Sequence, residues 1–314
     1  MIGKRPEWLA GDAQGIARAA TLLRAGELVA IPTETVYGLA ARADSAEAVA
    51  AIYRAKGRPA FNPLIVHVPS LEAARSLARF CSRAERLAQE FWPGPLTLVL
   101  PLREDAKITP AVLAGLSTVA LRSPTHPVAA ALLERVGLPL AAPSANRSGA
   151  VSPTRAEHVA RSLGAAPAAI VDGGPCGRGM ESTIVAVRAD GTWQMLRPGP
   201  ITESQLRPLL GPPAPLVHAE IEAPGQLARH YSPGKDVRLN AQAPRSDEFM
   251  IGFGAIAGDS SLSAAGDLSE AAARLYACLH EAAASDRPRI AIAPVPEEDL
   301  GIAINDRLRR AAAG

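Results

Sequence analysis

The chain has 314 residues, of which 48% are hydrophobic and 20% are charged, a composition typical of a globular protein large enough for two domains. Its formal net charge is only +2 and its aromatic content only 4%, which argues against a polyanion-coating protein and against a stacking platform for single-stranded nucleic acid. Three separated cysteines exclude a disulfide framework and a paired-cysteine metal site, and the lack of a signal segment or a long apolar run predicts a cytoplasmic protein without a membrane anchor.

The first predicted elements are two helices and two strands whose limits are marked by caps and stops. Asp12 is placed to cap a helix, and the apolar run Leu28–Ile31 after it is typical of a strand. A second amphipathic helix is predicted to begin after Ser45 and to end at Gly57, the expected left-handed stop. Leu64–Val68 forms the next predicted strand. These elements frame a polar turn and a basic loop.

Hydroxyl, amide and basic side chains are concentrated in this turn and loop. They are Thr33–Thr35, Lys56, Arg58, Asn62 and the strand residue His67. The two cations could be a solvated helix terminus, where the helix dipole favours positive charge without any ligand. A single histidine on a strand is most often a structural hydrogen-bonding group. Because all these groups belong to one loop-rich rim, we predict an anion-binding site.

Alternating helices and strands continue to about residue 211. Capping boxes are predicted at Ser82 with Glu85 and at Thr202 with Gln205. Apolar periodicity predicts further elements at Leu96–Leu102, Thr118–Arg122, Pro127–Val136, Leu138–Ala142, Thr154–Leu163, Ala168–Asp172, Ser182–Arg188 and Trp193–Arg197. The last two are expected to pair as a hairpin.

Polar residues recur where these later strands begin or end. Arg122 ends a buried strand, so we expect its stem to be packed and its guanidinium to be aimed at a carboxylate or phosphate. Ser144 and Asn146 follow another strand, but an ordinary turn would explain them equally well. Arg197 could be a surface cation and Ser182 an ordinary strand hydroxyl. Since ligand sites in open α/β sheets gather at strand ends, we expect these residues to meet the basic loop.

A proline-rich segment separates this region from a second set of elements. Five prolines from Pro212 to Pro233 predict an extended linker, and a β-β-α-β-α pattern follows it. The predicted boundaries are a large first domain at 1–211, a linker at 212–235 and a small α/β domain at 236–314. Neither a GxxxxGK[ST] loop nor a GxGxxG fingerprint is present, so a nucleotide would have to bind by another geometry.

Motifs along essentially the whole chain resemble, in order, those of the YrdC-like threonylcarbamoyl-AMP synthases. The matching blocks are Pro32–Gly38, Lys56–Pro59, Asn62–Leu64, Trp92–Thr97, Thr118–Arg122, Pro143–Gly149, Ser152–Thr154, Glu181–Thr183 and Leu196–Gly199. His230–Pro233 and Gly301–Leu308 are similar to the long, two-domain form. The resemblance implies an α/β fold with a large YrdC-like twisted mixed sheet and flanking helices, plus a small C-terminal Rossmann-like α/β domain.

The resemblance also implies an activity. Members of this family condense L-threonine, bicarbonate and ATP into threonylcarbamoyl-adenylate and release pyrophosphate. A separate threonylcarbamoyl transferase complex then modifies an adenosine next to the tRNA anticodon. We therefore expect ATP with Mg²⁺ as a cofactor, no metal held by the protein itself, the transferase complex as a downstream partner and weak binding of double-stranded RNA or tRNA.

Roles for individual residues follow from the same resemblance. Lys56 and Arg58 would be catalytic, neutralising phosphate charge. L-Threonine would be held by Thr35, His67, Arg122, the Ala142 backbone and Ser182, and ATP by Arg58, Asn62, Thr118, Ser144, Ser152, Arg197 and Tyr231. The segment Gly225–His230 departs from the family pattern, which often has Met and Lys after the glycine.

The linker is expected to act as a lid over the nucleotide. A passive spacer needs neither a histidine nor an aromatic residue, yet His230 and Tyr231 lie inside this segment. The main alternative for the whole chain is a non-enzymatic binder of double-stranded RNA or tRNA. A carbamoyl-transfer role in hydrogenase maturation is a third reading, but the zinc-finger and acylphosphatase-like segments that it needs are missing. The remaining histidines are assigned structural roles: His126, His158, His218 and His280.

Overall fold

The fold is taken from a computed structural model, which describes residues 5–215, 222–225 and 230–313. The strands in these ranges are β1 (Glu7–Ala10), β2 (Val29–Ile31), β3 (Gly38–Arg42), β4 (Ile65–His67), β5 (Leu96–Pro101), β6 (Thr118–Arg122), β7 (Leu140–Ala141), β8 (Ala169–Asp172), β9 (Thr183–Val187), β10 (Trp193–Arg197), β11 (Asp236–Arg238), β12 (Glu248–Gly252), β13 (Ser260–Ser261) and β14 (Arg289–Ile292). The helices are α1 (Ala13–Arg24), α2 (Ala46–Lys56), α3 (Leu71–Arg75), α4 (Ser82–Phe91), α5 (Pro110–Leu113), α6 (Pro127–Val136), α7 (Ala156–Leu163), α8 (Glu203–Leu210), α9 (Leu268–Ala284) and α10 (Leu300–Ala312).

The first ten of these strands form one mixed sheet, in the order β1-β8-β2-β3-β7-β4-β6-β5-β9-β10. Strands β4 and β6 are parallel neighbours, and their register places His67 directly beside Arg122. Strand β7 runs antiparallel to β4 on its other side, with Val66 opposite Ala141. The short central strands therefore bring polar residues from several loops close to β4.

Helices cover both faces of this large sheet, as expected for alternating α and β elements. Helices α1 and α6 pack Leu23 and Leu132 against one face, together with Ile31 of β2. Ala30, whose side chain points to the opposite face, lies in the main core cluster with Ile52 of α2. This alternation explains why β2 is apolar at every position.

A second, parallel sheet has the order β11-β14-β12-β13 and is packed by α9 and α10. Its core cluster also contains Val36, Val151, Met180 and Tyr231, which come from the large-sheet region and the linker. The two sheets thus belong to units that share apolar contacts. The expected α/β architecture, a large mixed sheet with flanking helices plus a small C-terminal α/β unit, is confirmed.

Several predicted helix limits are confirmed. The side chains of Asp12 and Ser45 accept hydrogen bonds from the first turns of α1 and α2, and Gly57 ends α2 with a φ of 60°. The predicted helix at 127–136 has the observed limits of α6. Gln205 Oε1 accepts a 3.0 Å hydrogen bond from the Thr202 N–H, as a capping box requires.

The capping box predicted at Ser82 is wrong. The N-cap of α4 is Cys81, without a side-chain capping bond, and Ser82 is already the first helical residue. Glu85 forms an ion pair with Arg75 at 2.5 Å instead of turning back to the helix end. A carboxylate gains more from a guanidinium within reach than from a neutral N–H, so the tertiary contact prevails.

Four short elements were not predicted, namely β1, β3, α5 and β13. Strand β3 has the sequence Gly-Leu-Ala-Ala-Arg, whose glycine and alanines have low intrinsic strand propensity. It forms because its backbone pairs with β2 and β7 on either side. No helix in the described ranges is both long and apolar enough to cross a bilayer.

Candidate functional site

A cavity lies against the face of the large sheet that carries Ile65 and His67 of β4. Because side chains alternate along a strand, these two residues share a face, and Val66 points into the core cluster behind the sheet. The cavity is lined by Thr33, Thr35, Val36, Gly38, Arg58, Ile65, His67, Arg122, Ala142, Pro143, Ser144, Glu181, Ser182, Arg197, Pro224, Gly225 and His230. Residues from both the sheet and the linker therefore form one enclosure.

Arg122 is buried at one end of the cavity and is held from three directions. Its Nη1 donates to Thr35 Oγ1 at 2.8 Å, its Nη2 to Glu34 Oε1 at 2.5 Å and its Nε to the Gly94 carbonyl at 3.2 Å. The side chain is only 4% exposed. The prediction of a packed stem and an aimed guanidinium is confirmed, and Glu34 is a partner that sequence reasoning missed.

His67 lies beside Arg122 as a buried, neutral imidazole. Burial lowers the pKa of His67 to about 3, and the positive charge of Arg122 lowers it further in the same direction. Its Nδ1 is buried and has no hydrogen-bond partner in the described part of the chain. A neutral ring with one unsatisfied nitrogen suits a substrate hydroxyl or amine better than a second anion.

Lys56 is buried, which excludes the alternative that it is a solvated cation at the helix end. Its Nζ donates to the carbonyl oxygens of Ser144 at 2.6 Å and Asn146 at 2.5 Å, so it joins the end of α2 to the turn after β7. Burial lowers the pKa of Lys56 well below its ordinary value, and the nearby charge of Arg58 adds to this effect. Lys56 therefore fixes the turn from behind and does not line the cavity.

Arg58 lines the cavity and is oriented by its own loop. Its Nε donates to the Asn62 carbonyl at 3.3 Å and its Nη2 to the Pro63 carbonyl at 3.0 Å. Burial lowers the pKa of Arg58 to about 10, so the side chain remains charged at neutral pH. The guanidinium is thus positioned at the wall of the cavity with its Nη1 outside these two bonds.

Arg197 and Ser182 form the opposite wall. Arg197 Nη2 donates to the Ser182 carbonyl at 2.9 Å, and Arg197 Nη1 donates to the Pro224 carbonyl at 3.3 Å. Ser182 Oγ lies 2.7 Å from Thr97 Oγ1. Both residues are buried, so the surface-cation reading of Arg197 is excluded. The linker approaches closely here, because a Cβ on Gly225 would lie 3.0 Å from Arg197 Nη1.

Most of the unsatisfied buried polar atoms in the described ranges lie at or near this cavity. They are Asn62 Oδ1, His67 Nδ1, Asn146 Oδ1, His230 Nδ1, Tyr231 Oη, Arg307 Nη2 and, on the last strand of the large sheet, Trp193 Nε1. Two of these atoms, His67 Nδ1 and His230 Nδ1, belong to residues that line the cavity. Native proteins leave few buried polar atoms without a partner, and a concentration of them is typical of a binding site for a polar ligand. The cavity is therefore built for a polar occupant.

The charge of the cavity wall favours an anion. Arg58, Arg122 and Arg197 line it, whereas Glu181 is its one acidic side chain among the described residues. In a poorly hydrated site, fixed guanidinium groups can neutralise phosphate or carboxylate charge without reorganising. The described residues contain no group of three His, Cys, Asp or Glu side chains placed to hold a metal ion.

Other predicted site residues lie near the cavity without lining it. Ser152 donates to Glu181 Oε1 at 2.6 Å, and Asn62 follows Arg58 in the same loop. Thr118 is on the same face of β6 as Arg122, four residues away, which corresponds to about 13 Å along a strand. A ligand reaching both would have to be extended.

Tyr231 is fully buried where the linker meets the small domain. Its ring centroid lies 4.0 Å from that of His230 and 5.4 Å from that of Tyr276. The guanidinium of Arg307 is 5.6 Å from the same ring.

Glu34 and Glu181 were not predicted as site residues, and His230 was predicted only as part of the lid. A carboxylate inside a motif is itself a signal, because a carboxylate that becomes buried requires a partner.

Three of the histidines assigned structural roles have structural contacts. His126 Nδ1 accepts from the Val128 N–H at the start of α6. His158 and His280 stack with ring centroids 3.7 Å apart, across the contact between the large and small units. His218 lies outside the described residues.

Comparison with protein families gives two matches that together cover most of the chain. Residues 21–199 match the Sua5_yciO_yrdC family, described as "Telomere recombination", and residues 201–313 match "Threonylcarbamoyl-AMP synthase, C-terminal domain". A protein of Bacillus subtilis (strain 168) named threonylcarbamoyl-AMP synthase is 41% identical, covering 95% of this chain and 93% of its own. A Pyrococcus abyssi protein of the same name is 39% identical, covering 94% and 93%.

Solved structures agree with these matches. The crystal structure of Pyrococcus abyssi Sua5 complexed with L-threonine has a TM-score of 0.88 and 36% identity, covering 98% of this chain and 97% of that one. A full-length HypF structure matches only 60% of this chain at 22% identity with a TM-score of 0.53, so the likeness concerns the fold alone.

Proposed function

The chain belongs to the Sua5/YrdC family of threonylcarbamoyl-AMP synthases, and from this premise we propose how its cavity carries out the reaction. The enzyme condenses L-threonine, bicarbonate and ATP into L-threonylcarbamoyl-adenylate with release of pyrophosphate. The product serves the threonylcarbamoyladenosine modification of tRNA next to the anticodon. What remains to be assigned is the part played by each residue.

L-Threonine binds at the Arg122 end of the cavity. The observation that carries this assignment is the pairing of a fixed guanidinium with the unsatisfied Nδ1 of His67 on the neighbouring strand. Arg122 takes the carboxylate, because a planar guanidinium suits two oxygens. His67 and Thr35 take the hydroxyl and amine. The Ala142 backbone and the Ser182 hydroxyl complete the enclosure.

ATP binds along the remaining wall. Arg58 and Arg197 neutralise its phosphates, while Lys56 acts indirectly by holding the turn that carries Ser144. The remaining contacts come from Asn62, Ser144, Ser152, Thr118 and Tyr231. Thr118 lies farthest from Arg122 on the shared face of β6, so an extended nucleotide would be needed to reach it.

The chemistry needs positioning and charge neutralisation more than a covalent nucleophile. The threonine amine adds to bicarbonate with loss of water, which gives a carbamate. A carbamate oxygen then forms a bond to the α-phosphorus, and the bond to the β-phosphate oxygen breaks as pyrophosphate leaves. The arginines stabilise the charge on both sides of this exchange.

Mg²⁺ enters with the nucleotide. Glu181 is the one acidic side chain that lines the cavity in the described ranges, and it already accepts hydrogen bonds from Ser152 and Tyr276. Phosphate oxygens and water would therefore supply most of the ligands, which is the usual mode for this ion. When bound, the ion would add positive charge near the leaving pyrophosphate.

The linker covers the nucleotide. Pro224, Gly225 and His230 form part of the cavity wall, and Tyr231 anchors the segment in the apolar core of the small unit. A cover of this kind excludes water from the carbamate and the adenylate, both of which water destroys. The domain limits 1–211, 212–235 and 236–314 remain part of this proposal.

The product, threonylcarbamoyl-adenylate, indicates which partners the enzyme would have. A threonylcarbamoyl transferase complex in the cytoplasm receives the adenylate, and weak contact with tRNA would keep the two steps close together. A function limited to binding RNA is the competing hypothesis. The enclosed arginine-lined cavity favours the enzyme, because a duplex cannot enter it.

Pyrophosphate release from ATP, measured without RNA, decides between these hypotheses. We expect release that requires both L-threonine and bicarbonate. The absence of pyrophosphate release without RNA, together with binding of double-stranded RNA or tRNA, would support the RNA-binding hypothesis against the enzyme. Release that does not depend on threonine would contradict the proposed substrate.

A further inference from the structure

The small domain places a fully buried arginine, Arg307 of α10, next to the cavity wall. Its Nη1 donates to Asp306 Oδ2 at 2.7 Å, and its Nε lies 3.3 Å from Glu181 Oε2. A buried charge is costly to maintain unless it is paired with good geometry. The ion pair between Arg307 and Glu181 joins the small domain to a residue that lines the cavity.

Glu181 is held by groups from both domains. Its Oε1 accepts from Ser152 Oγ at 2.6 Å, and its Oε2 accepts from Tyr276 Oη at 2.6 Å as well as from Arg307. Burial by itself raises the pKa of Glu181, but Arg307, Arg197 and these hydroxyl hydrogen bonds outweigh it and hold the pKa at about 2. The carboxylate is therefore ionised at neutral pH.

The position of Glu181 makes its charge important for substrates. It lines the cavity and precedes Ser182, whose carbonyl accepts from Arg197. Glu181 Oε1 accepts a hydrogen bond from Ser152 and so orients this serine, which we propose contacts ATP. An uncompensated carboxylate at this wall would repel phosphates, so a cation behind it is needed to balance the charge.

Helix α9 fixes both segments that meet at Glu181. A Cβ on Gly179 would lie 2.0 Å from the Ala273 carbonyl of α9, which shows how closely this loop approaches the helix. His280 of α9 lies with its Nε2 3.1 Å from the Ser152 carbonyl. Arg310 of α10 also donates to the carbonyl of Gly225 in the linker. The small domain thus contacts three separate parts of the cavity's surroundings.

We propose that Glu181 is a positioning residue for ATP, and that Tyr276 and Arg307 make the small domain part of the charge balance of the active site. Tyr276 and Arg307 act through Glu181 and do not touch the substrate themselves. This inference rests on the proposed function and deepens it, because it gives the small domain a role in the reaction.

Three single variants and one double variant test the proposal in the full-length protein. Tyr276→Phe removes one hydroxyl and keeps the packing, Arg307→Met removes the charge at similar volume, and Glu181→Gln removes the opposing charge. The double variant Arg307→Met/Glu181→Gln removes both charges. Arg309→Met is the matched control, since Arg309 is on the same helix but exposed and paired with Glu297. The readouts are KM for ATP, kcat, the ATP dissociation constant by titration, and Tm.

We expect Tyr276→Phe to raise KM and Kd for ATP about threefold to tenfold with little change in kcat, and Arg307→Met to raise both constants at least about tenfold. Glu181→Gln alone should raise both constants about threefold, because its amide oxygen accepts the Ser152 hydrogen bond less strongly than a carboxylate does. The double variant should recover from the level of Arg307→Met to that of Glu181→Gln, because no unpaired anion then faces the phosphates. Arg309→Met should match the wild type.

A lower Tm with unchanged ATP constants in Tyr276→Phe and Arg307→Met would show a purely structural link and overturn the proposal. So would a double variant whose ATP constants are no better than those of Arg307→Met. If Arg307→Met fails to fold, Tyr276→Phe alone decides. Wild-type protein that forms no product would overturn the proposed function, whereas the ATP titrations still decide the positioning role.

Discussion

The side chain of Arg122, which we propose binds the threonine carboxylate, is held in one orientation by the protein itself. Glu34, Thr35 and Gly94 hold its guanidinium, and the strand stem is packed. A free arginine would lose several rotamers on binding a carboxylate, and that loss weakens affinity. Here folding has already ordered the side chain, so the proposed contact with the threonine carboxylate would not incur that loss.

Replacing Arg122 with lysine tests this role. Arg122→Lys keeps the charge but loses the planar fork, so L-threonine should bind at least about tenfold more weakly, or about 1.4 kcal/mol, while ATP affinity changes little. Isothermal titration with each ligand measures both. Arg103→Lys is the control, since Arg103 forms an exposed ion pair with Asp105. Threonine affinity equal to that of the wild type would contradict the assignment.

At the same scale, the sequence predicted some side chains well and others poorly. The place of Arg122 at the end of an apolar strand was enough to predict its burial. The burial of Lys56 was not predicted, because it depends on the carbonyls of Ser144 and Asn146, some ninety positions along the chain. The burial of Arg307 likewise depends on contact between two domains, which no local pattern encodes.

Among the elements, the linker segment has the most direct contact with the proposed nucleotide site. Its described residues Pro224, Gly225 and His230 line the cavity, and its residue Tyr231 packs against Tyr276 of α9. The Tyr231 hydroxyl is buried and has no partner in the described part of the protein. An unsatisfied hydroxyl at this place costs stability, and a ligand that bonds to it recovers the loss.

Tyr231→Phe should therefore weaken ATP binding without destabilising the fold. Loss of one hydrogen bond of about 0.5–1.5 kcal/mol predicts a Kd for ATP about twofold to twelvefold higher, with a Tm unchanged or slightly raised. Tyr37→Phe is an instructive control, because the Tyr37 hydroxyl donates to the Gly174 carbonyl at 2.8 Å. That variant should lower Tm and leave ATP binding unchanged. If Tyr231→Phe instead lowered Tm and left ATP binding unchanged, Tyr231 would have a structural role only.

Helix limits were the most predictable part of the elements, because caps and stops act locally. Asp12, Ser45 and Gly57 all serve as predicted. The capping box predicted at Ser82 was wrong, because Glu85 forms an ion pair with Arg75 instead. Strand β3 was missed because pairing with its neighbours, and not its own composition, makes it a strand.

In the whole molecule, the order of the motifs was enough to predict a large mixed sheet with flanking helices and a small C-terminal α/β unit. What the sequence did not predict is that the units share an apolar cluster and a buried charge pair. These contacts explain why a small domain without a cavity-lining residue of its own in the described ranges would affect the reaction. Glu181 is the point at which the two units meet the substrate cavity.

We propose that this cavity joins threonine, bicarbonate and ATP in one product. The most direct measurement is mass spectrometry of the products formed from ¹³C-bicarbonate, L-threonine and ATP by the full-length protein without RNA. We expect threonylcarbamoyl-adenylate carrying a single ¹³C, formed together with an equal amount of pyrophosphate and absent when threonine is omitted. Pyrophosphate release without the labelled adenylate, or at the same rate without threonine, would contradict it.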